Sequence, residues 1–360
     1  MKYKVKDNVR KIAVSTIAML SIVSILSGCQ GTSFGSSSSS SAKEESEISK
    51  SDAADDKGLD KVLTGKTVGV ATVGTQHFWD REAFNGAIDE VKKLGGKVIT
   101  TDGGRDNTVN AQNHEKFLTA KVDAVITILG DSSVDPYLKR IKAAGIPIFS
   151  VQHPSQYVVN DVEDDAYQGG KDVGKIVGKD LNGKGQIALF NAFESSLSYC
   201  SARAKGFKEE IKKEYPGIKI IEPELAEKFS SPADDARQQT LNLLQKYAKG
   251  TLSDIHVACW DQPAIGVVQA IKESGRSDVK VSAYDAGPDT LKIMQEKNSP
   301  FVANVAQQPR LQGHKSAVAL AKYIKGEKVE KTTYVESFPV DGSQEAAAIY
   351  KKLGYDKTAD

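Results

Sequence analysis

Residues 67–73 (TVGVATV), 80–94 (DREAFNGAIDEVKKL), Gly95-Gly96 and 97–101 (KVITT) decide the fold. The first run is β-branched and apolar and reads as a strand. The second places Phe84, Ala87, Ile88, Val91 and Leu94 at helical spacing. The glycine pair stops that helix, and the third run is again a strand. Strand, helix, strand at this spacing needs a parallel pairing, with the helix crossing over one face. Working outward, the same alternation continues: helix 110–121, strand 124–129, helix 134–144, strand 147–151. After a turn-rich patch at 161–165 it restarts, with helices predicted over 167–181, 198–215, a segment reaching 247, 263–274, 288–296 and 310–324. The intervening strands are 186–191, 218–223, 255–259, 279–284 and 301–306. Ser231-Pro232 reads as an N-cap and first-turn proline. The expected fold is α/β: two doubly wound parallel-sheet lobes of similar size.

In open parallel sheets, ligands bind beyond the carboxyl ends of the strands. Those ends carry Gln76-His77-Phe78-Trp79, Asp131-Ser132, Gln152-His153, Asn191, Trp260-Asp261, Tyr284-Asp285 and Gln307. Two lobes with facing strand ends would enclose a cleft of aromatics and a few convergent polar groups, which suits a small molecule.

Several chemistries lack their motifs. No G-x-G-x-x-G follows the first strand, and there is no P-loop and no G-x-S-x-G elbow. Gly103-Gly104 and Gly169-Gly170 read as turn or helix-packing glycines. The five histidines show no metal-binding spacing, and His77 and His153 have no carboxylate or thiolate spaced to join them. No cofactor or metal is expected. A formal net charge of +1 gives no field for nucleic acid, and no helix-turn-helix precedes the body. Three cysteines in 360 residues do not build a disulfide scaffold. Cys200 and Cys259 could pair, or could be two buried thiols.

The N-terminus is asymmetric. Lys2, Lys4, Lys6, Arg10 and Lys11 against Asp7 sum to +4, ahead of an apolar run at 12–26 that is too short for an ordinary membrane span. That run ends in Leu26-Ser27-Gly28-Cys29. This resembles a bacterial lipobox, which implies a signal peptide over 1–28, removed ahead of a lipidated Cys29; a plain secretory signal or an uncleaved anchor are the competing readings. The mature chain would carry about −3. The serine run 36–41 and the charged, aromatic-free 43–58 cannot bury enough surface to fold, so 29–65 is expected to be a flexible linker. Two acyl chains on Cys29 would meet the requirement for stable anchoring.

From about 66 to 338 the chain resembles the periplasmic sugar-binding family typified by ribose- and galactose-binding proteins, the type I solute-binding proteins of ABC importers. The likeness rests on Arg203-Ala204-Lys205-Gly206-Phe207, on Val281-Ser282-Ala283-Tyr284-Asp285, on Ala306-Gln307 and on the turn Asp165 to Gly170. The aromatic-bearing turn Gln76-His77-Phe78-Trp79 follows the first strand, as in the family. The resemblance implies lobes over 66–163 plus 308–340 and 164–307 plus 341–360, with crossings near 161–165, 306–309 and 339–343. It implies a monomeric, lipid-anchored receptor on the outer face of the cell membrane that captures a monosaccharide or polyol for an ABC permease. The implied ligand-binding residues are Gln76, His77, Phe78, Trp79, Gln152, His153, Arg203, Trp260, Tyr284, Asp285 and Gln307, with Arg203 and Asp285 as the polar anchors.

Three positions depart from the pattern. Gln152-His153 stand where the family often has Asp-Arg, Trp260 replaces a common Asn, and Ile128-Leu129 replace another Asn. A larger, less polar or modified sugar is the consequence drawn from them. Plainer roles compete: Arg203 as a surface arginine, Asp285 as a helix cap, and Phe78, Trp79 or Tyr284 as packing residues. A sensory subunit for a membrane kinase or chemoreceptor would share this body. An exported sugar-modifying enzyme would use Asp261, Asp285 and His153 as acid and base.

Overall fold

The structure is a computed structural model describing residues 57–191, 193 and 196–357. The signal peptide expected over 1–28, Cys29 and the serine run lie outside the described residues. Each lobe is a six-stranded sheet between helices. The first holds β1 (Thr67–Thr72), β2 (Lys97–Asp102), β3 (Ala124–Ile128), β4 (Ile148–Val151), β5 (Asn160–Glu163) and β11 (Thr332–Tyr334), in the order β11-β5-β4-β3-β1-β2, all parallel. Its helices are α1 (Phe78–Lys93), α2 (Asn107–Asn113), α3 (Glu115–Ala120), α4 (Asp135–Ala143) and α10 (Pro309–Ile324). The second sheet holds β6 (Lys184–Phe190), β7 (Gly217–Ile220), β8 (Asp254–Val257), β9 (Lys280–Ser282), β10 (Phe301–Ala306) and β12 (Phe338–Asp341), in the order β12-β10-β9-β8-β6-β7. Only β12 runs antiparallel, along β10. Around it lie α5 (Ala166–Asp180), α6 (Ser198–Glu214), α7 (Pro232–Lys246), α8 (Gln262–Ser274), α9 (Pro288–Gln295) and α11 (Gly342–Lys352).

The central strands are buried on both faces, as their continuous apolar runs require. The chain passes between lobes three times. The first two passages, at Asp164-Asp165 and Gln307-Gln308, lie where the sequence places them. Three boundaries differ. The first-lobe core already includes Leu59 and Leu63, 1% and 0% exposed, so the linker expected to run to 65 ends before Leu59. The patch at 161–165 holds β5, because Asp161 and Val162 pair with β4 and β11. The third passage lies at 335–337 rather than 339–343, because Phe338 and Val340 turn into the second core while β12 pairs with β10.

Two smaller corrections follow. Ser231 adopts a left-handed conformation and does not cap α7, although Pro232 does open that helix. Cys200 and Cys259 are joined by a disulfide, not left as two thiols.

Gly169-Gly170 are packing glycines. A Cβ on Gly170 would lie 2.1 Å from the Arg203 carbonyl oxygen, so α5 and α6 cross in near backbone contact. A Cβ on Gly169 would lie 1.9 Å from the Tyr284 hydroxyl, which therefore needs that opening to reach the first passage.

Candidate functional site

The strand ends of both sheets face one cavity of about 480 Å³, its mouth included. Arg203 forms its floor. It sits on the second turn of α6 and is 2% exposed. Its Nη1 donates to the Cys259 carbonyl oxygen and, at 3.2 Å, to Asp285 Oδ1; its Nη2 donates to Gln152 Oε1 at 3.3 Å. Its guanidinium carbon lies 3.9 Å from the Tyr284 ring centroid and 5.0 Å from that of Tyr199. A planar cation held between two rings with fixed acceptors is pre-organised to offer its remaining N–H. Arg203 Nε has no protein partner.

Asp285 follows β9 with φ +99°, Gln152 follows β4 with φ +53°, and Leu129 follows β3 with φ +56°. Left-handed backbone at non-glycine residues costs about 1–3 kcal/mol each and is held only by its surroundings. Here it turns the side chains or the chain itself toward the gap. Burial raises the Asp285 carboxyl to about 7, against the opposing pull of Arg203. Asp285 can therefore carry a proton near neutrality, and donate as well as accept.

The network crosses between lobes. Gln152 Nε2 donates to Asp164 Oδ1 at 2.8 Å and to Gln307 Oε1 at 2.6 Å, while Gln307 Nε2 donates to Asp285 Oδ1. The Tyr284 hydroxyl donates to Asp164 Oδ2 at 2.7 Å. On the first-lobe wall His77 Nε2 donates to Asp261 Oδ1 of the second lobe at 3.1 Å, and His77 Nδ1 lies 3.5 Å from Asp80 Oδ1. Arg105 Nη2 donates to Asp80 Oδ2 at 2.6 Å. Burial opposes charging His77, but hydrogen bonds to Asp261 and Asp80 outweigh it and raise its pKa to about 9. Asp261 is lowered despite burial, because His77, Thr290 and the Gly287 N–H all donate to it.

The second-lobe wall is apolar. Phe193, Leu197, Tyr199, Phe229, Trp260 and the disulfide form a cluster of their own, from which Tyr199 also reaches the first-lobe core. Trp260 faces His77 edge-on at 5.3 Å, takes Arg105 over its ring at 4.6 Å, and donates its indole N–H to Glu227 Oε2. Burial raises Glu227 to about 8. On the cavity lining, Trp79 Nε1, Arg105 Nε, Asn107 Oδ1 and Arg203 Nε are buried without a protein partner. Buried polar atoms are ordinarily paired, so their concentration here is what a polar guest would satisfy.

Of the residues named from sequence, His77, Trp79, Gln152, Arg203, Trp260 and Asp285 line the cavity. Gln76 is exposed, its Oε1 accepting from the Thr75 N–H. Phe78 turns away and meets Tyr355 edge-on at 5.3 Å. His153 points its Nδ1 at the Gly130 carbonyl. Tyr284 and Gln307 stand behind the lining and hold Arg203 and Asp285. Sequence reasoning missed Asp80, Arg105, Asn107, Tyr199, Phe193 and Phe229. It also treated His77 as having no carboxylate partner, whereas His77, Asp261 and Asp285 place ligand atoms within 4.8 Å of one another. Those atoms already serve protein hydrogen bonds beside the Arg203 cation.

The family model described as a periplasmic binding protein domain matches residues 68–328. A ribose import binding protein of Bacillus subtilis is 27% identical over 252 residues, covering 69% of this chain and 78% of that protein. A solved ABC transporter solute-binding protein from Agrobacterium vitis with bound allitol superposes with a TM-score of 0.76 at 32% identity, covering 80% of this chain and 98% of the other. An ABC sugar transporter subunit from Rhodobacter sphaeroides superposes at 0.75, also 32% identical, covering 78% and 99%.

Proposed function

The chain belongs to the periplasmic binding protein domain family, and on that premise we propose that it is the solute receptor of an ABC importer, closing two lobes over an uncharged monosaccharide or polyol. One observation carries this reading. Arg203, Asp285 and Gln152, drawn from both lobes and buttressed by Gln307 at the hinge, converge on a single cavity where Trp79 Nε1, Arg105 Nε, Asn107 Oδ1 and Arg203 Nε lack protein partners. Vicinal hydroxyls each donate and accept, so one polyol can answer a guanidinium, an amide and a carboxyl together. Aromatic faces of Trp79 and Trp260 suit the C–H faces of a ring. Relatives that take ribose or allitol support the class.

The architecture supports capture and release by hinging. Three strands of chain join the lobes, so the two halves can hinge apart, and a guest touching both walls shifts the equilibrium toward closure. No helix among the described residues is long and apolar enough to cross a membrane. Attachment is assigned to a diacylated Cys29, which would hold the body at the outer face of the cell membrane.

Calorimetry of the purified chain against D-ribose, allitol, myo-inositol and further pentoses, hexoses and alditols tests the reading. Saturable binding of at least one is expected. Binding of a different solute class with none of these would overturn it. Replacing Cys29 by Ala should release the protein from the membrane fraction.

A further inference from the structure

We propose that the Cys200–Cys259 disulfide is a positioning element of the cleft, fixing the two ends of the contact that holds Arg203; the affinity arm of this proposal rests on the polyol reading. The pair is 0% and 4% exposed, has a Cα–Cα distance of 4.6 Å, and joins residues 59 apart. Cys259 itself lines the cavity.

Its two ends matter more than its loop length. Cys200 lies in the first turn of α6, three residues before Arg203. Cys259 lies just past the end of β8, and its carbonyl oxygen accepts from Arg203 Nη1. The bond therefore ties the backbone that carries the donor to the backbone that supplies the acceptor. Helix starts fray because their first N–H groups lack intrahelical partners. The N-cap of α6 is Leu197, which offers no side-chain acceptor. A covalent tie replaces the missing cap at the one helix whose second turn bears the floor of the site. The residue after Cys259 is Trp260, so the same tie also sets the aromatic wall; Leu197, Tyr199, Phe193 and Phe229 pack against it.

A general staple and a positioning element differ in what moves when the bond is removed. Amide hydrogen exchange on the full chain separates them without any ligand, comparing wild type, wild type reduced in native buffer, and Cys200→Ser/Cys259→Ser. Faster exchange confined to 197–203 and 259–261, on the order of tenfold, is expected. Uniform loss of protection across the second lobe, or none, overturns the proposal. The reduced wild type gives the result even if the double variant does not fold.

Calorimetry with D-ribose, allitol and myo-inositol supplies the second arm. The serine pair should weaken whichever binds by about tenfold, and adding Arg203→Lys to it should cost less than Arg203→Lys costs wild type, because coupled residues are not additive. Losses that simply multiply would overturn the positioning role. If wild type binds none of the wider panel of pentoses, hexoses and alditols while another solute class binds, the polyol reading fails, and the exchange pattern still decides this one.

Discussion

The two lobes share a plan but not a wall. Each is a six-stranded sheet whose strand ends face the cleft. The first lobe presents a chain of charges, Arg105 to Asp80 to His77, whose last link reaches Asp261 across the gap. The second presents an apolar cluster bound by a disulfide around a single buried arginine. The first wall is completed only when the lobes meet. The second is built mostly within its own lobe, although Arg203 also donates to Gln152 and Trp260 takes Arg105 over its ring. Binding strength should therefore reside mainly in the second wall, and sensitivity to closure and to pH in the first.

The largest test of that division is Arg203→Ala. It removes the only cation between Asp285 and Asp164 and leaves both carboxyls buried. Stripping one partner from a buried pair costs about 3–5 kcal/mol. Urea unfolding should show that loss, and calorimetry should show no measurable polyol binding. If Arg203→Ala kept wild-type affinity, the second wall would not be the anchor.

His77→Gln probes the first wall. A charged hydrogen bond contributes about 1.5–3 kcal/mol, so the loss at pH 6 should be smaller than for Arg203→Ala. The sign of the pH effect follows from His77 being raised from 6.5 to about 9. The folded chain holds that proton more tightly than the unfolded chain. The stabilisation is complete below pH 6.5 and disappears as pH rises through about 9. Melting curves from pH 6 to pH 10 should fall in wild type and flatten in the variant over that window. A slope left unchanged by the variant would remove His77 as its source.

Gly169→Ala sharpens the second wall from behind. The new methyl would displace the Tyr284 hydroxyl from Asp164. Overpacking of this kind costs about 1–3 kcal/mol. Affinity should drop with stability, since Tyr284 supports Arg203; stability falling alone would confine Tyr284 to packing.

The smallest effect is expected from Glu227→Gln. Burial raises Glu227 from 4.5 to about 8, so it holds a proton near neutrality. The amide keeps an acceptor for the Trp260 N–H, and stability at pH 6 should stay within about 0.5 kcal/mol of wild type. As pH rises from 4.5 to 6.5, below the window that His77 governs, wild type should lose more stability than the variant, because only wild type gives up the proton of Glu227 on unfolding there.

The fold was legible because strand and helix periods alternate cleanly from 67 onward, and each strand end could be searched in turn. That search reached His77, Gln152, Trp260 and Asp285, all within five residues of a strand end. It passed over the end of β2, where Arg105 follows the Gly103-Gly104 turn, although the same rule applies there. Asp80 lies three residues after His77, a spacing that puts both on one helical face. Phe193 and Phe229 were not legible: they lie on connections whose path is set by tertiary contacts. Tyr284 and Gln307 were misplaced by one layer, because a motif names a residue without saying whether it touches the guest or the residue that does. The third passage was misread because Val335, whose N–H still bonds to the Glu163 carbonyl of the first lobe, and Phe338, which joins the second core, are both apolar and only three residues apart.

The chain has 2 tryptophans, and both stand on the cavity lining: Trp79 from the first lobe and Trp260 from the second. No tryptophan elsewhere contributes background light. The protein thus carries a built-in optical reporter, with one emitter on each jaw, and its native fluorescence should register occupancy and jaw movement without any attached dye.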